Sequence, residues 1–368
     1  MRGKPRICKD YDDYTVAVVC ANEFERDAVR YMLDEEHIPL PIKPGDSNLY
    51  FLGELSRHNV VLACLPGNGG KSSAARVASD IHRSFLSVEW IFVVGTGRGV
   101  ASERNDIRRG DVVVSMPEGQ YGGVVQYDLG KELEHGFQTK GFLHPPPAIV
   151  RSAVQVMRSD HRIRPNMIGD FVAAMVEEYP DLAIYRRPAP ESDVLFHSDY
   201  YHVPSRLTCD ICDKTKAVVR PARKWDDPVI HYGLVGSGDK VMESAAKSKT
   251  TIENIGDILC FETEAAGVAT DFPCIVIRGI SDYADSHKNS SWQHYAAAAA
   301  AGCTKELLSK LPSRRLAPME TPISLLGPGM AKSNDYEQFA WPEFNRKGIQ
   351  CAEIRNLTIG RNLSLVKR

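Results

Sequence analysis

Runs of consecutive apolar residues recur along most of the chain and alternate with stretches in which apolar residues follow helical spacing. Unbroken runs of Val, Ile, Leu and Cys are typical of strands that are covered on both faces. Strands of this kind that alternate with helices indicate an α/β domain. The predicted strands are residues 15–20, 51–55, 59–65, 90–94, 110–115 and 274–277.

Helical spacing is clearest in four segments, which are residues 23–36, 148–157, 167–178 and 291–311. The last segment contains six consecutive alanines at 296–301. Such small side chains let a helix approach its neighbours closely, so we expect this helix to pack tightly on the sheet.

One acidic residue of the first predicted helix lies on its apolar face. Glu25 shares that face with Ala28, Val29 and Met32, at spacings of three, four and seven residues. A carboxylate on a buried face is costly unless it has a partner or a task. Two interpretations stay open, a charge that caps the N-terminus of the helix and a functional carboxylate.

The richest set of candidate functional groups surrounds the last predicted strand. Ligands of open α/β sheets bind beyond the carboxyl ends of strands, where Arg278, Ser281 and Asp282 are expected. Glu262 and Glu264 precede a short apolar helix, at whose start unpaired N–H groups favour carboxylates. Solvated charge around an ordinary β–α unit is the alternative interpretation.

These same residues carry a family resemblance. The motifs F-E-T-E-A-A-G at 261–267 and R-G-I-S-D-Y-A-D at 278–285 resemble the signature of the nucleoside phosphorylase/nucleosidase superfamily. That group includes purine nucleoside phosphorylases and 5′-methylthioadenosine/S-adenosylhomocysteine nucleosidases. The similarity extends over about residues 14–311 and is greatest to the fungal branch, whose members are often fused to signalling or repeat domains. It implies a single three-layer α/β/α domain with a central mixed β-sheet.

The resemblance also implies catalytic roles. Asp282 matches the acid that protonates purine N7, and burial would favour its protonated form. Glu264 matches the carboxylate that binds the ribose hydroxyls, and Glu25 matches the one that holds and activates water. Arg278 and Ser281 match groups that orient the water and the acid.

Further positions are expected to line the substrate. Arg98 stands where the family prefers glycine or alanine, and Thr263 replaces the usual methionine under the sugar. The complete set of predicted lining residues is Thr96, Gly97, Arg98, Val241, Met242, Phe261, Glu262, Thr263, Glu264 and Ser281.

The identity of the nucleophile follows from two departures from the phosphorylases. Those enzymes commonly carry a phosphate-binding arginine at the positions of Glu25 and Val93. We therefore predict a purine nucleosidase that uses water, with no metal or organic cofactor in catalysis. The alternatives are a phosphate-dependent phosphorylase, an ATP-type nucleotide nucleosidase in which Arg98 meets phosphates, and a nucleoside-binding signalling module without turnover.

A glycine-rich turn after the third predicted strand invites a phosphate-loop interpretation. Gly67 stands only four places before Lys71, however, so the spacing of G-x-x-x-x-G-K-[ST] is not met. A P-loop NTPase is therefore disfavoured, and the resemblance instead places this turn beside the active site.

A candidate metal site falls in a polar, proline-marked segment at 134–226, which the resemblance identifies as a family-specific insertion. His197, His202, Cys209 and Cys212 offer four ligands for a structural zinc ion. A single C-x-x-C pair does not distinguish zinc from free thiols or a disulfide, so all three interpretations stay open.

Composition narrows the remaining possibilities. The net charge of −2 over 368 residues gives no electrostatic basis for binding nucleic acid. There is no run of 18 apolar residues and no secretory signal, and cysteines within apolar runs suit a reducing compartment, so a cytoplasmic protein is predicted. We expect a disordered lead-in at 1–13, the domain at 14–312, and a linker or tail at 313–368. Relatives are dimers, trimers or hexamers, and we favour a homodimer.

Overall fold

The computed structural model describes residues 7–67, 69–134, 136–202, 209, 211–223 and 227–313. Its strands are β1 (Val16–Cys20), β2 (Glu35–Glu36), β3 (Tyr50–Leu55), β4 (His58–Cys64), β5 (Trp90–Gly99), β6 (Val112–Ser115), β7 (Val124–Gln126), β8 (Gly130–Leu133), β9 (Gly136–Thr139), β10 (Ile230–Ser237), β11 (Ile258–Glu262) and β12 (Cys274–Tyr283). Its α-helices are α1 (Glu23–Arg30), α2 (Lys71–Ser84), α3 (Ala148–Asp160), α4 (Ile168–Glu178), α5 (Ala245–Ile255), α6 (Ala265–Ala269) and α7 (Gln293–Ser309).

Ten of these strands form one mixed sheet. Its order is β11-β10-β6-β12-β5-β1-β4-β3-β2, and β7 pairs with β10 outside that path. The pairs β1–β4, β1–β5, β5–β12 and β10–β11 are parallel, whereas β3–β4 and β6–β12 are antiparallel. Phe261 of β11 also pairs with Arg98 of β5. This pairing closes β5, β12, β6, β10 and β11 into a ring.

The sheet separates two helical layers. Val16 and Val18 of β1 pack into an apolar core with α1, α3, α4 and α7. Ala17 and Val19 point to the opposite face and pack with α2 and α6. This arrangement confirms the predicted α/β/α architecture, and the burial of every residue of β1 explains its unbroken apolar sequence.

Helix α7 lies directly against the sheet, as its alanines predict. All six alanines at 296–301 are buried. A Cβ atom added at Gly279 of β12 would lie 1.8 Å from the carbonyl oxygen of Ala296. Helix and strand are therefore too close for any side chain at position 279.

Several boundaries differ from the sequence predictions. Helix α1 ends at Arg30 rather than at residue 36, because Glu35 and Glu36 pair with β3 instead. Strands β5 and β12 continue past their predicted ends, since Asp282 still pairs with Arg98. Residues 95–99, which follow the strand predicted at 90–94, are thus part of β5, and Arg278, Ser281 and Asp282 lie within β12 rather than beyond it.

The predicted lead-in is partly structured. Residues 11–13 form a 3-10 helix, and Ile7 forms a β-bridge with His37, so disorder is the wrong prediction for residues 7–13. Residues 1–6, and all of the predicted tail except Ser313, lie outside the described residues. Among the helices that the structure describes, none has the length and apolar character needed to cross a membrane.

Candidate active site

A cavity of about 240 Å³ opens where α1, β5, β11 and β12 meet. The sheet register brings three of these strands together, since Arg98 of β5 pairs with Phe261 of β11 on one side and with Asp282 of β12 on the other. The residues lining this cleft are Ala21, Asn22, Glu25, Thr96, Gly97, Arg98, Lys240, Val241, Met242, Phe261, Glu262, Thr263, Glu264, Ser281, Asp282, Lys288 and Gln293.

Glu25 is held at the inner end of the cleft by four hydrogen bonds. Its Oε2 accepts from the backbone N–H groups of Ala21 and Asn22, at 3.1 and 3.0 Å. Its Oε1 accepts from the backbone N–H and the hydroxyl of Thr96, at 2.7 and 2.9 Å. Burial raises the pKa of Glu25 above its ordinary value of 4.5, and the nearby Arg278 guanidinium only partly opposes this. Glu25 therefore caps α1 and also lines the cleft. The two interpretations of its sequence position, a helix-capping charge and a functional carboxylate, are thus compatible.

Arg278 lies directly behind the cleft and is 1% exposed. Its Nη2 donates to Oε2 of Glu262 and, at 3.2 Å, to Oε2 of Glu264. Burial disfavours its charge, but the carboxylates of Glu262, Glu264 and Glu25 raise its pKa. A Cβ atom at Gly95 would lie 2.5 Å from Nη1 of Arg278 and 2.7 Å from Oε1 of Glu25. A side chain at position 95 would therefore separate the two groups.

The start of α6 fixes the second pair of carboxylates. Oε2 of Glu262 accepts from the backbone N–H groups of Glu264 and Ala265, at 3.0 and 2.9 Å. Glu262 thus caps the helix that the sequence pattern predicted it would precede. Glu264 accepts a hydrogen bond from the hydroxyl of Thr263, and a Cβ atom at Gly69 would lie 3.3 Å from its Oε1. The glycine-rich turn therefore borders the cleft, as expected.

Asp282 lines the cleft from within β12 and is 2% exposed. Its Oδ1 accepts a hydrogen bond from the backbone N–H of Asn289 at 2.7 Å. The hydroxyl of Ser281 donates to its Oδ2 at 3.2 Å. The segment that follows β12 therefore folds back and holds the carboxyl group in place.

Cationic side chains line the outer part of the cleft. Arg98 pairs with Glu243 at 2.7 Å, and its Nη1 is buried without a hydrogen-bond partner among the residues that the structure describes. Lys240 and Lys288 are exposed lining residues. The sequence analysis missed both lysines, although Lys240 immediately precedes a predicted lining residue, Val241.

The apolar lining is modest. Phe261 is 2% exposed and packs edge-on against Tyr127, with ring centroids 5.3 Å apart. Met242 is buried and Val241 is exposed, and both line the cleft together with Phe261. A planar ligand would therefore find a rigid aromatic edge and a flexible thioether.

Every residue that the sequence analysis placed at the substrate or in catalysis lines this cleft, with the exception of Arg278. The additional lining residues that it missed are Ala21, Asn22, Lys240, Lys288 and Gln293. The four predicted zinc ligands are not among the lining residues. His202, Cys209 and Cys212 cluster elsewhere, whereas His197 is exposed and is not part of that cluster.

Sequence comparison decides the family. Residues 15–311 match the sequence model of a family described as the phosphorylase superfamily, which is most of the chain. The chain belongs to the phosphorylase superfamily.

One relative of this phosphorylase-superfamily chain is a nucleotide-binding leucine-rich repeat (NLR)-like protein from Hyaloscypha variabilis. The two are 39% identical over 308 residues, which cover 83% of this chain but 30% of that protein. The chain therefore spans less than a third of the length of this relative.

Solved structures share the superfamily fold at low sequence identity. The 5′-methylthioadenosine/S-adenosylhomocysteine nucleosidase of Neisseria meningitidis, in complex with methylthio-immucillin-A, is 19% identical with a TM-score of 0.51, over 81% of this chain and 99% of that one. Futalosine hydrolase of Helicobacter pylori is 16% identical with the same TM-score and coverage. The corresponding nucleosidase of Colwellia psychrerythraea, in complex with adenine, is 15% identical with a TM-score of 0.51, over 82% and 98% of the two chains. At these identities the likeness concerns the fold.

Proposed function

We propose that the protein is a purine nucleosidase, which hydrolyses the N-glycosidic bond of a purine nucleoside to the free base and ribose. The observation that carries the proposal is that Glu25, from near the start of the domain, lines one cleft with Glu264 and Asp282, from near its end. The nucleosidase and hydrolase names of the solved structures with this fold, and the adenine in one of them, give further support.

In the proposed reaction the bond between C1′ and N9 breaks, and its electron pair goes to the base. Asp282 donates a proton to N7, which makes the purine a better leaving group. The sugar develops positive charge, which the carboxylate of Glu264 stabilises while it binds the ribose hydroxyls. Water bonds to C1′ and transfers a proton to Glu25. Both oxygens of Glu25 already accept two hydrogen bonds each, and of the four donors only the Thr96 hydroxyl is a side chain that can rotate away, so we propose that the water takes its place at Oε1.

The charges at the inner end of the cleft favour water over phosphate as the nucleophile. Glu25, Glu262 and Glu264 surround a single guanidinium, that of Arg278, so ionised carboxylates outnumber cations there. The neighbouring Val93 is buried in β5 and offers no charge. An inorganic phosphate beside Glu25 would meet like charge, whereas a water molecule would meet a base.

The test is to incubate the full-length protein with adenosine, inosine and guanosine in phosphate-free buffer and to measure free base by chromatography. We expect base release that added phosphate does not accelerate. Glu253→Gln is a control variant that should keep the activity, because Glu253 is exposed and does not line the cleft. A nucleoside that raises the melting temperature yet is never cleaved would contradict the proposal and favour a binding module.

A second candidate function is favoured by the cationic rim. Arg98, Lys240 and Lys288 would offer charge-assisted hydrogen bonds to the phosphates of a nucleotide such as ATP. The test compares kcat/KM for adenosine with kcat/KM for its 5′-mono-, di- and triphosphates. A preference for the uncharged nucleoside over all three phosphates would reject this candidate.

We further propose that the protein acts as a homodimer in the cytoplasm. Leu129, Leu133 and Phe142 are exposed around the β8–β9 hairpin, which is a suitable apolar surface for a second copy. Light scattering that gives the mass of a monomer at micromolar concentration would contradict the dimer. Fractionation of cells of the source organism would test the location.

A further inference from the structure

Three potential metal ligands converge in the insertion, beside the segment that follows β12, since Sγ of Cys209 lies 4.0 Å from the carbonyl oxygen of Lys288. The ligand atoms of His202, Cys209 and Cys212 all lie within 4.8 Å of one another. The Sγ atoms of Cys209 and Cys212 are 3.7 and 3.4 Å from the same atom, Nδ1 of His202. Cys212 is buried and the other two are partly buried, so the cluster is sheltered from solvent.

The spacing of these atoms matches a tetrahedral zinc site. With Zn–S bonds of about 2.3 Å and Zn–N bonds of about 2.05 Å, the sulfur and nitrogen corners of a tetrahedron lie roughly 3.6 Å apart. Both sulfur–nitrogen distances, 3.7 and 3.4 Å, agree with this value. Two thiolates with an imidazole form a ligand set that zinc prefers.

Hydrogen bonds account for this convergence only in part. Nδ1 of a neutral imidazole has either one lone pair or one proton, so it pairs with one of the two thiols, and the other acceptor for Cys209, the carbonyl oxygen of Lys288, lies 4.0 Å from its Sγ. A cation at the centre of the cluster satisfies all three groups at once.

A fourth group, His287, lies beside the cluster, although it does not belong to the group whose ligand atoms are all within 4.8 Å of one another. His287 is 1% exposed, and its Nε2 has no hydrogen-bond partner among the described residues. Its ring is 5.6 Å from that of His202, centroid to centroid, at an angle of 78°. Two imidazoles that each bind one zinc ion through a nitrogen place their ring centroids roughly 5 Å apart. The ring of His287 is fixed by stacking on Phe196, with centroids 4.2 Å apart.

We propose that His202, Cys209 and Cys212 bind a structural Zn²⁺ ion, with His287 as the fourth ligand. The ion ties the insertion to the segment that follows β12. That segment already contacts the insertion, since the backbone N–H of His202 donates to the hydroxyl of Ser286 at 3.0 Å. The same segment holds Asp282 through the backbone N–H of Asn289. The zinc ion therefore stabilises the segment that holds Asp282, without contacting the substrate.

The test measures zinc in the full chain, produced with zinc in the medium and purified with neither chelator nor polyhistidine tag. Mass spectrometry of the metal content is expected to give about one zinc ion per chain, as a closed structural site requires. The double substitution Cys209→Ser with Cys212→Ser is expected to remove it. His197→Ala is the matched control, because His197 lies in the same segment, is exposed, and is not part of the cluster.

Two results would overturn the proposal. One is a wild-type chain without zinc whose Cys209 and Cys212 form a disulfide, and the other is zinc retained in the double variant. If the double variant fails to fold, binding of metal by the two thiolates is tested instead in the wild-type chain loaded with Co²⁺. Thiolate-to-cobalt charge-transfer absorption is expected there, and its absence would equally reject the site.

The fourth ligand is tested separately. His287→Asn is expected to weaken zinc binding by about tenfold or more, measured in competition with a chelator. Loss of a group that only orients the ligands already lowers metal affinity by about 10–100-fold, so loss of a ligand should lower it at least as much. Zinc affinity equal to that of the wild type would reject His287 as a ligand and leave the other three.

Discussion

The two ends of the cleft differ in charge and in burial. At the inner end, Glu25, Glu262 and Glu264 enclose Arg278, which is 1% exposed, so negative charge exceeds positive. At the outer end, Lys240 and Lys288 are exposed, and only a partly exposed glutamate pairs with Arg98. The inner end suits a sugar that develops positive charge, and the outer end suits an anionic part of the ligand. Asp282 also lines the cleft, and we propose that the leaving base takes its proton.

The largest effect on activity is expected from substitution of Asp282. Asp282→Asn removes the proposed acid while keeping the shape of the side chain, so base release should fall by about 10²–10⁴-fold. Asp271→Asn is the matched control, since Asp271 is exposed and does not line the cleft. The rate of base release by both variants is measured by chromatography. A rate near that of the wild type in Asp282→Asn would show that Asp282 is not the acid.

The contrast in burial predicts a difference in stability. Arg278→Met leaves Glu262 and Glu264 without their buried cation, which should lower the free energy of unfolding by about 3–5 kcal/mol. Arg98→Met breaks a pair whose partner, Glu243, has a side chain that is 54% exposed, so the loss should stay below about 1 kcal/mol. Urea denaturation compares the two variants. Equal losses of unfolding free energy in the two variants would show that the ion pairs at the two ends of the cleft do not differ in burial as described.

The raised pKa of Glu25 predicts how activity responds to acid. Glu25 must be ionised to accept a proton, so kcat/KM should fall by about tenfold per pH unit below its pKa. Because burial raises that pKa, the acid limb should lie above pH 4.5. For stability the sign is opposite, since the buried group favours the protonated form and its contribution is lost as pH rises through the folded-state pKa. An acid limb that stays in place in Glu25→Gln would assign it to another group.

The smallest effect is expected at the outer end. Removing one charge-assisted contact, by Lys288→Ala, should raise KM for a nucleoside 5′-phosphate by roughly tenfold while leaving KM for the nucleoside unchanged. Lys249→Ala is the matched control, because Lys249 is exposed on α5 and does not line the cleft. Equal changes in KM for both substrates would show that the rim does not recognise phosphate.

Local patterns predicted the inner end of the cleft better than the outer end. Glu25 is recognisable because its helical spacing puts a carboxylate among Ala28 and Val29, and all three are indeed buried. Glu262 is recognisable because it precedes the N-terminus of α6, which it caps. Both signals lie within a few residues of sequence, so they can be read without knowing the sheet.

The outer end depends on contacts between distant segments. Lys240 follows β10, which pairs with β11, and Lys288 follows β12, which pairs with β5. No local pattern indicates either pairing. The same reason explains why β5 and β12 exceed their predicted lengths, since the extra pairs join residues such as Asp282 and Arg98. His287, which we propose as the fourth zinc ligand, was likewise missed, because the cluster of His202, Cys209 and Cys212 lies more than 70 positions earlier in the chain.

The central claim, that water attacks C1′ at the inner end of the cleft, is tested most directly with isotopically labelled water. Adenosine is incubated with the full-length protein in H₂¹⁸O containing millimolar phosphate, and the sugar product is analysed by mass spectrometry. The account predicts ribose that carries one ¹⁸O atom at C1′ and a rate that does not depend on phosphate. Ribose 1-phosphate as the initial product would contradict it.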